Sequence, residues 1–112
     1  MQNETNAALS QIHHVAIGVA DIKKSMKWYM TSFECRVIYE SPREAVLQFA
    51  NIRLSLVLPS HEPPHVAFER DDAATLGELR ERNDDIWSTF LADPTGNVIE
   101  VVGPRLVVDV PS

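Results

Sequence analysis

The chain has 112 residues, 45% apolar and 23% charged, and its 16 acidic against 10 basic side chains give a formal net charge of −6. That fits one globular domain able to bury a core without staples, and without a basic run it argues against nucleic acid and anionic membrane surfaces as partners. The single cysteine, Cys35, excludes an intrachain disulfide and suits a reducing, cytoplasmic setting.

Residues 1–10 are polar, lack the basic and apolar regions of a signal peptide, and are expected to be a flexible N-terminus. The β-branched run 12–19 reads as a strand. Asp21 follows as a helix N-cap, and Ile22, Met26, Tyr29, Met30 and Phe33 form a helical stripe expected to face a core. Short strands are expected at 35–40, 44–49 and 52–58. The segment 59–64 holds three prolines and must be a connecting loop. The pattern then restarts. A strand is expected at 65–70, and Asp71 or Asp72 caps a helix running to about Arg82. Two more strands, 88–91 and 97–102, flank a hairpin turn, Asp93-Pro94-Thr95-Gly96-Asn97, in which glycine takes the left-handed position. The tail, 104–112, reads as a further strand or a dimer-packing arm. One domain therefore spans 11–103, with modules at about 11–58 and 65–103.

The restart is a sequence repeat. His14-Val15-Ala16-Ile17-Gly18-Val19-Ala20-Asp21 and His65-Val66-Ala67-Phe68-Glu69-Arg70-Asp71-Asp72 share His, Val, Ala and the final Asp at a constant offset of 51 residues. If a pseudo-twofold axis relates the copies, His14 and His65 are equivalent. Strand parity puts His14, Ala16 and Gly18 on one face, and His65, Ala67 and Glu69 on the matching one. The opposite, apolar faces pack on helices, and the histidine faces line a common concave surface. Glu100, amid branched apolar residues of the last strand, is costly there unless paired or ligated. Its counterpart in the first half is Ser55. Gln48 falls on the cup face if its strand keeps register, and Gln48 and Ser55 are the candidate substrate contacts. His13 reads as a strand-edge residue, His61 as an exposed loop residue and Cys35 as an inert small apolar group. Two imidazoles and one carboxylate suit one divalent metal ion, Fe, Mn, Zn, Ni or Co. Three protein ligands would leave coordination positions open.

At this point the residues resemble a known family. IHHVAIGVADI with the following Trp28-Tyr29 and Phe33, HVAFERDD, and the hairpin LADPTGNVIEVVG are similar, in order, to the opening, second-module start and closing hairpin of the vicinal oxygen chelate superfamily. That superfamily includes glyoxalases, bleomycin-resistance proteins and extradiol dioxygenases. The resemblance covers 12–103. It implies an α+β fold of two βαβββ modules forming a cupped mixed sheet with helices outside, the second module shortened because few residues separate its helix from Ser88. It also implies that His14, His65 and Glu100 are the metal ligands.

The family's usual fourth ligand, a glutamate, falls at Ser55. That departure points away from four-ligand glyoxalase I and epimerase types, and toward extradiol dioxygenases and fosfomycin-type thiol transferases. Ala16 stands where the latter commonly carry threonine, and no catalytic base is identified. The implied protein is a homodimer whose site is shared between chains, His14 from one and His65 with Glu100 from the other. The implied function is a metal-dependent enzyme for a small substrate that chelates through adjacent oxygens, by dioxygenase, lyase or isomerase, or thiol-transferase chemistry. The alternatives are a non-enzymatic protein that sequesters small molecules, of the bleomycin-resistance type, and a purely structural dimer.

Overall fold

The computed structural model describes residues 9–82 and 86–104. The expectations for the first eight residues and for the tail beyond Pro104 lie outside the described residues. The first half runs β1 (Gln11–Gly18), α1 (Ile22–Ser32), β2 (Arg36–Ser41), β3 (Glu44–Gln48) and β4 (Arg53–Val57). The second runs β5 (His65–Glu69), a 3-10 turn (Ala73–Thr75), β6 (Arg80–Glu81), β7 (Trp87–Ala92) and β8 (Val98–Gly103).

The strands form one curled mixed sheet in the order β2-β3-β4-β1-β5-β8-β7-β6. That order is two copies of one pattern joined back to back. β1 and β5 pair antiparallel in the middle, and each is flanked on its other side by the last strand of its own module, running parallel. The two-module α+β architecture read from the repeat is therefore present.

Helix α1 forms where its cap and stripe direct. The Asp21 carboxylate accepts from the Lys24 amide at 2.9 Å and satisfies one of the unpaired first-turn N–H groups. Ile22 is buried against Ala45, Leu47 and Leu56, with Met26 and Tyr29 packed beside it. Burying each large aliphatic side chain here contributes about 1.5–3 kcal/mol. The stripe is narrower than expected: Met30 is 40% and Phe33 52% exposed. Phe33 has already left the helix and serves as its C-cap, its amide donating to the Tyr29 carbonyl at 2.9 Å. None of the helices among the described residues is long and apolar enough to cross a membrane.

The second module departs from expectation more strongly. The helix expected from Asp72 to Arg82 is a single 3-10 turn, and the strand after it is two residues long. Asp72 makes no capping bond; both its carboxylate oxygens turn back to Arg70 at 2.7 Å. Gly77 then crosses Thr89 so closely that a Cβ there would lie 2.6 Å from the Thr89 hydroxyl. The segment is thus held on the sheet as a strap, with no room for further helical turns. The closing hairpin is as read: Gly96 has φ of +94°, and Asp93 accepts from the Thr95 and Asn97 amides at 3.0 and 2.8 Å.

Candidate metal centre

The central β1–β5 pair fixes the histidines. Its register sets His14 opposite Ala67 and Ala16 opposite His65. The histidines are diagonal neighbours on one face, and each looks across at an alanine small enough to leave space for a ring. Their ring centroids lie 5.6 Å apart. β8 lies parallel to β5 with Glu100 beside Ala67, which brings the carboxylate between them. In the first module Ser55 lies beside Ala16. The register thus confirms that Ser55 and Glu100 are structural equivalents.

The donors converge on one carboxylate oxygen. Glu100 Oε1 lies 3.0 Å from His14 Nε2 and 2.9 Å from His65 Nε2. All three residues are buried, and their ligand atoms lie within 4.8 Å of one another. One chain brings the set together by itself. The expected division, with His14 from one subunit and His65 and Glu100 from the other, is corrected: the central strand pair already makes the histidines neighbours.

The surrounding bonds decide what the cluster can hold. His65 Nδ1 donates to the Pro63 carbonyl at 2.7 Å, so its proton belongs there and Nε2 faces Glu100. With no metal, Nε2 must carry a second proton to satisfy the carboxylate. Burial opposes that charge, but the bonds to Glu100 and Pro63 outweigh it and raise the His65 pKa above the ordinary value. Burial alone would also raise the Glu100 pKa. Hydrogen bonds from His14, His65 and Ser88 instead hold it well below the usual carboxylate range. A divalent metal replaces the protons between these donors with a single ion. The donor separations match neighbouring ligands on one ion, about 2.8–3.1 Å for right-angled bonds of about 2.0–2.2 Å. A histidine fixed by a carbonyl on its other nitrogen is also what metal ligation favours. The residues therefore fit the ion.

Several participants were not read from the sequence. The pairing of β1 shifts register between Ile12 and His14. This bulge lets His13 turn to the same side as His14, with the two Nδ1 atoms 2.7 Å apart. His13 is thus a cavity wall residue and not a strand-edge cap. Burial, then the neighbouring His14, lower its pKa. Ser88 is fully buried and donates its hydroxyl to Glu100 Oε2 at 2.5 Å. Arg82 Nε donates to the same hydroxyl at 2.8 Å, and its guanidinium lies 4.9 Å from the centre of the Phe90 ring. The hairpin held the signal for Phe90 and Ser88: counting back from the Asp93–Asn97 turn puts Phe90 opposite Glu100 and Ser88 two residues before it, on the same face.

Of the two candidate substrate contacts, Ser55 is buried in the cavity wall. Gln48 stands one step back. It shares the cup face with Val46, but its amide donates to the Phe49 carbonyl at 2.6 Å and accepts from Arg53 at 3.1 Å. Arg53 is the one of the pair that reaches the cavity. The cavity at the donors is about 50 Å³, enough for an ion and a few waters. Beside it lies a groove of about 720 Å³ floored by Phe90, Leu91 and Val98. Glu62 and Arg82 belong to the walls of both. Glu62 also forms a second group with Glu44 and the exposed His61, with ligand atoms within 4.8 Å of one another.

Comparison with known proteins agrees with this architecture. A family model described as the Glyoxalase/Bleomycin resistance protein/Dioxygenase superfamily matches residues 11–101. No curated protein matches the chain. Among solved structures, it is similar to a glyoxalase/bleomycin resistance protein/dioxygenase superfamily member from Vibrio splendidus 12B01, with a TM-score of 0.64 at 13% identity, covering 85% of this chain and 99% of that one. It is also similar to hypothetical protein BH1468 from Bacillus halodurans C-125, with a TM-score of 0.65 at 14% identity, covering 86% and 95%. At these identities the likeness speaks for the fold alone.

Proposed function

The chain belongs to the Glyoxalase/Bleomycin resistance protein/Dioxygenase superfamily, and from that premise we propose that it is a metal-dependent enzyme acting on a small substrate that chelates through two adjacent oxygens. His14, His65 and Glu100 would hold the ion. The observation that carries the reading is the meeting of both Nε2 atoms on Glu100 Oε1 at 3.0 and 2.9 Å, with His65 locked by Pro63 on its far side. Three protein donors leave positions for substrate oxygens.

The ion would supply Lewis acidity to the bound oxygens or lower the pKa of a bound water. The chain's own residues do the rest. Ser88 and Arg82 fix the orientation of Glu100, and Pro63 fixes that of His65. The Phe90-floored groove would take the remainder of the substrate, which would pass between Glu62 and Arg82 to reach the donors. Dioxygenase, lyase or isomerase, and thiol-transferase chemistry all suit this arrangement. The reading includes a cytoplasmic homodimer in which each chain carries its own complete donor set.

A second reading, a protein that sequesters a small cationic molecule without turning it over, is favoured by the Glu62 and Glu81 carboxylates of the same groove. Elemental analysis of protein purified without an affinity tag separates the two. About one transition metal per chain, lost in His65→Ala, supports the metal reading. Protein that stays empty after exposure to Fe(II), Mn(II), Zn(II), Ni(II) and Co(II) overturns it.

A further inference from the structure

The pseudo-twofold leaves the cup one carboxylate short. Ser55 stands where the second module has Glu100, and a serine side chain is too short to replace a glutamate at the donor cluster. A carboxylate outside that group of three donors nevertheless approaches one of its histidines. Glu62 Oε2 lies 3.5 Å from His65 Nε2, the same nitrogen that meets Glu100. Its side chain is 23% exposed and lines the cavity together with His14, Ser55 and Glu100.

The loop that carries it is built to hold that position. The His61 and Glu62 amides both donate to the Leu58 carbonyl, at 2.8 and 3.1 Å. Pro59, Pro63 and Pro64 restrict the backbone on either side. The next bond along the chain is the one from His65 to the Pro63 carbonyl, so Glu62 and the ring it faces are tied to the same short stretch. The 3.5 Å separation lies just beyond the about 2.8–3.1 Å spacing of neighbouring right-angled ligands on one ion, a difference that a small rotation of the half-buried side chain closes.

We infer that Glu62, from the proline loop between the modules, is a fourth ligand of the metal centre and its second carboxylate, taking over from the loop the role that the strand position of Ser55 does not fill. The inference rests on the reading that His14, His65 and Glu100 bind a metal. It predicts a four-donor centre built entirely within one chain, with one donor on a segment outside the sheet.

The test is titration of metal-free full-length protein with Co(II), read by visible absorption and by the dissociation constant. The variants are Glu62→Gln, Glu44→Gln and Glu78→Gln. Wild-type protein should bind one Co(II). Glu62→Gln, nearly isosteric, should raise the dissociation constant at least about tenfold, since losing even an outer-shell partner of a metal ligand costs 10–100-fold. It should also change the position and intensity of the Co(II) band, while the thermal transition of the metal-free protein stays in place. Glu78→Gln, an exposed carboxylate that lines neither the cavity nor the groove, should leave affinity and band unchanged. Glu62→Gln with wild-type affinity and spectrum overturns the assignment and leaves the three-donor reading standing. A loss seen in Glu44→Gln and not in Glu62→Gln overturns it in favour of β3 as the source. Failure of wild-type protein to bind Co(II) overturns the metal reading as well.

Discussion

Ser88→Ala tests whether the metal centre depends on a residue that touches no metal. Ser88 is fully buried, and its hydroxyl is the link between Arg82 and Glu100: it accepts from Arg82 Nε at 2.8 Å and donates to Glu100 Oε2 at 2.5 Å. Both partners are charged, and a hydrogen bond to a charged group is worth about 1.5–3 kcal/mol. Alanine removes one oxygen and almost no volume, so the loss is polar and not a packing defect. It strands Glu100 Oε2 and one guanidinium donor, while Arg82 Nη2 keeps its bond to the Ser88 carbonyl at 3.1 Å. The expected destabilisation of metal-free protein is about 2–3 kcal/mol, read by urea unfolding. Metal affinity should fall about 10–100-fold, because Glu100 is then free to rotate. The two readouts must move together. A variant within about 0.5 kcal/mol of wild type, with unchanged metal affinity, would show that the Ser88 contacts contribute nothing to the site and would refute the reasoning.

Other predictions follow from the same geometry. His13→Ala should weaken metal binding about 10–100-fold without unfolding the chain, because a metal on His14 Nε2 requires His14 Nδ1 to donate, and His13 Nδ1 at 2.7 Å is its acceptor; calorimetric metal titration checks it, and unchanged affinity makes the contact incidental. The stability of metal-free protein should peak in mildly acidic solution. The depressed Glu100 pKa contributes stability present above the ordinary 4.5 and lost as pH falls through the folded value, while the raised His65 pKa contributes stability present below the ordinary 6.5 and lost as pH rises through its folded value. Urea midpoints measured from pH 3 to 9 should therefore be highest between the two ordinary values, and a profile still rising above pH 8 would contradict the pairing. Gly77→Ala should cost about 1–3 kcal/mol by overpacking, since its Cβ would meet the Thr89 hydroxyl at 2.6 Å, and adding Thr89→Ala should recover most of that loss in thermal unfolding.

Much of the fold was legible because the chain states it twice. The 51-residue offset between His14 and His65 carries strand parity, cup face and the equivalence of the two histidines together, and the turn at Asp93–Asn97 pins the register of Glu100. What could not be read depends on local geometry that composition does not encode. A bulge of one residue turns His13 into the cavity against strand alternation. The segment after Asp72 has helical spacing at Ala73, Leu76 and Leu79, yet Asp72 bonds to Arg70 and the chain flattens over Thr89. Glu62 was hidden for another reason: a proline loop gives no parity from which to infer where a side chain points.

The two modules also exchange a pair of residues, which explains why one half alone supplies the strand carboxylate. Ser88 and Glu100 on β7 and β8 correspond by register to Glu44 and Ser55 on β3 and β4. Each half thus keeps one hydroxyl and one carboxylate on its cup face, in swapped positions. In the second half the carboxylate sits on the strand beside β5, within reach of both histidines, and the hydroxyl supports it from behind. In the first half the carboxylate sits one strand farther out, where Glu44 lines the cavity with Glu62 and both lie close to the exposed His61. Swapping back with Ser55→Glu and Glu44→Ser should therefore build a second strand carboxylate beside Ala16 and tighten metal binding in a Glu62→Gln background, where Co(II) affinity is the measurement. A double swap that leaves that affinity unchanged would mean the modules are equivalent in backbone only.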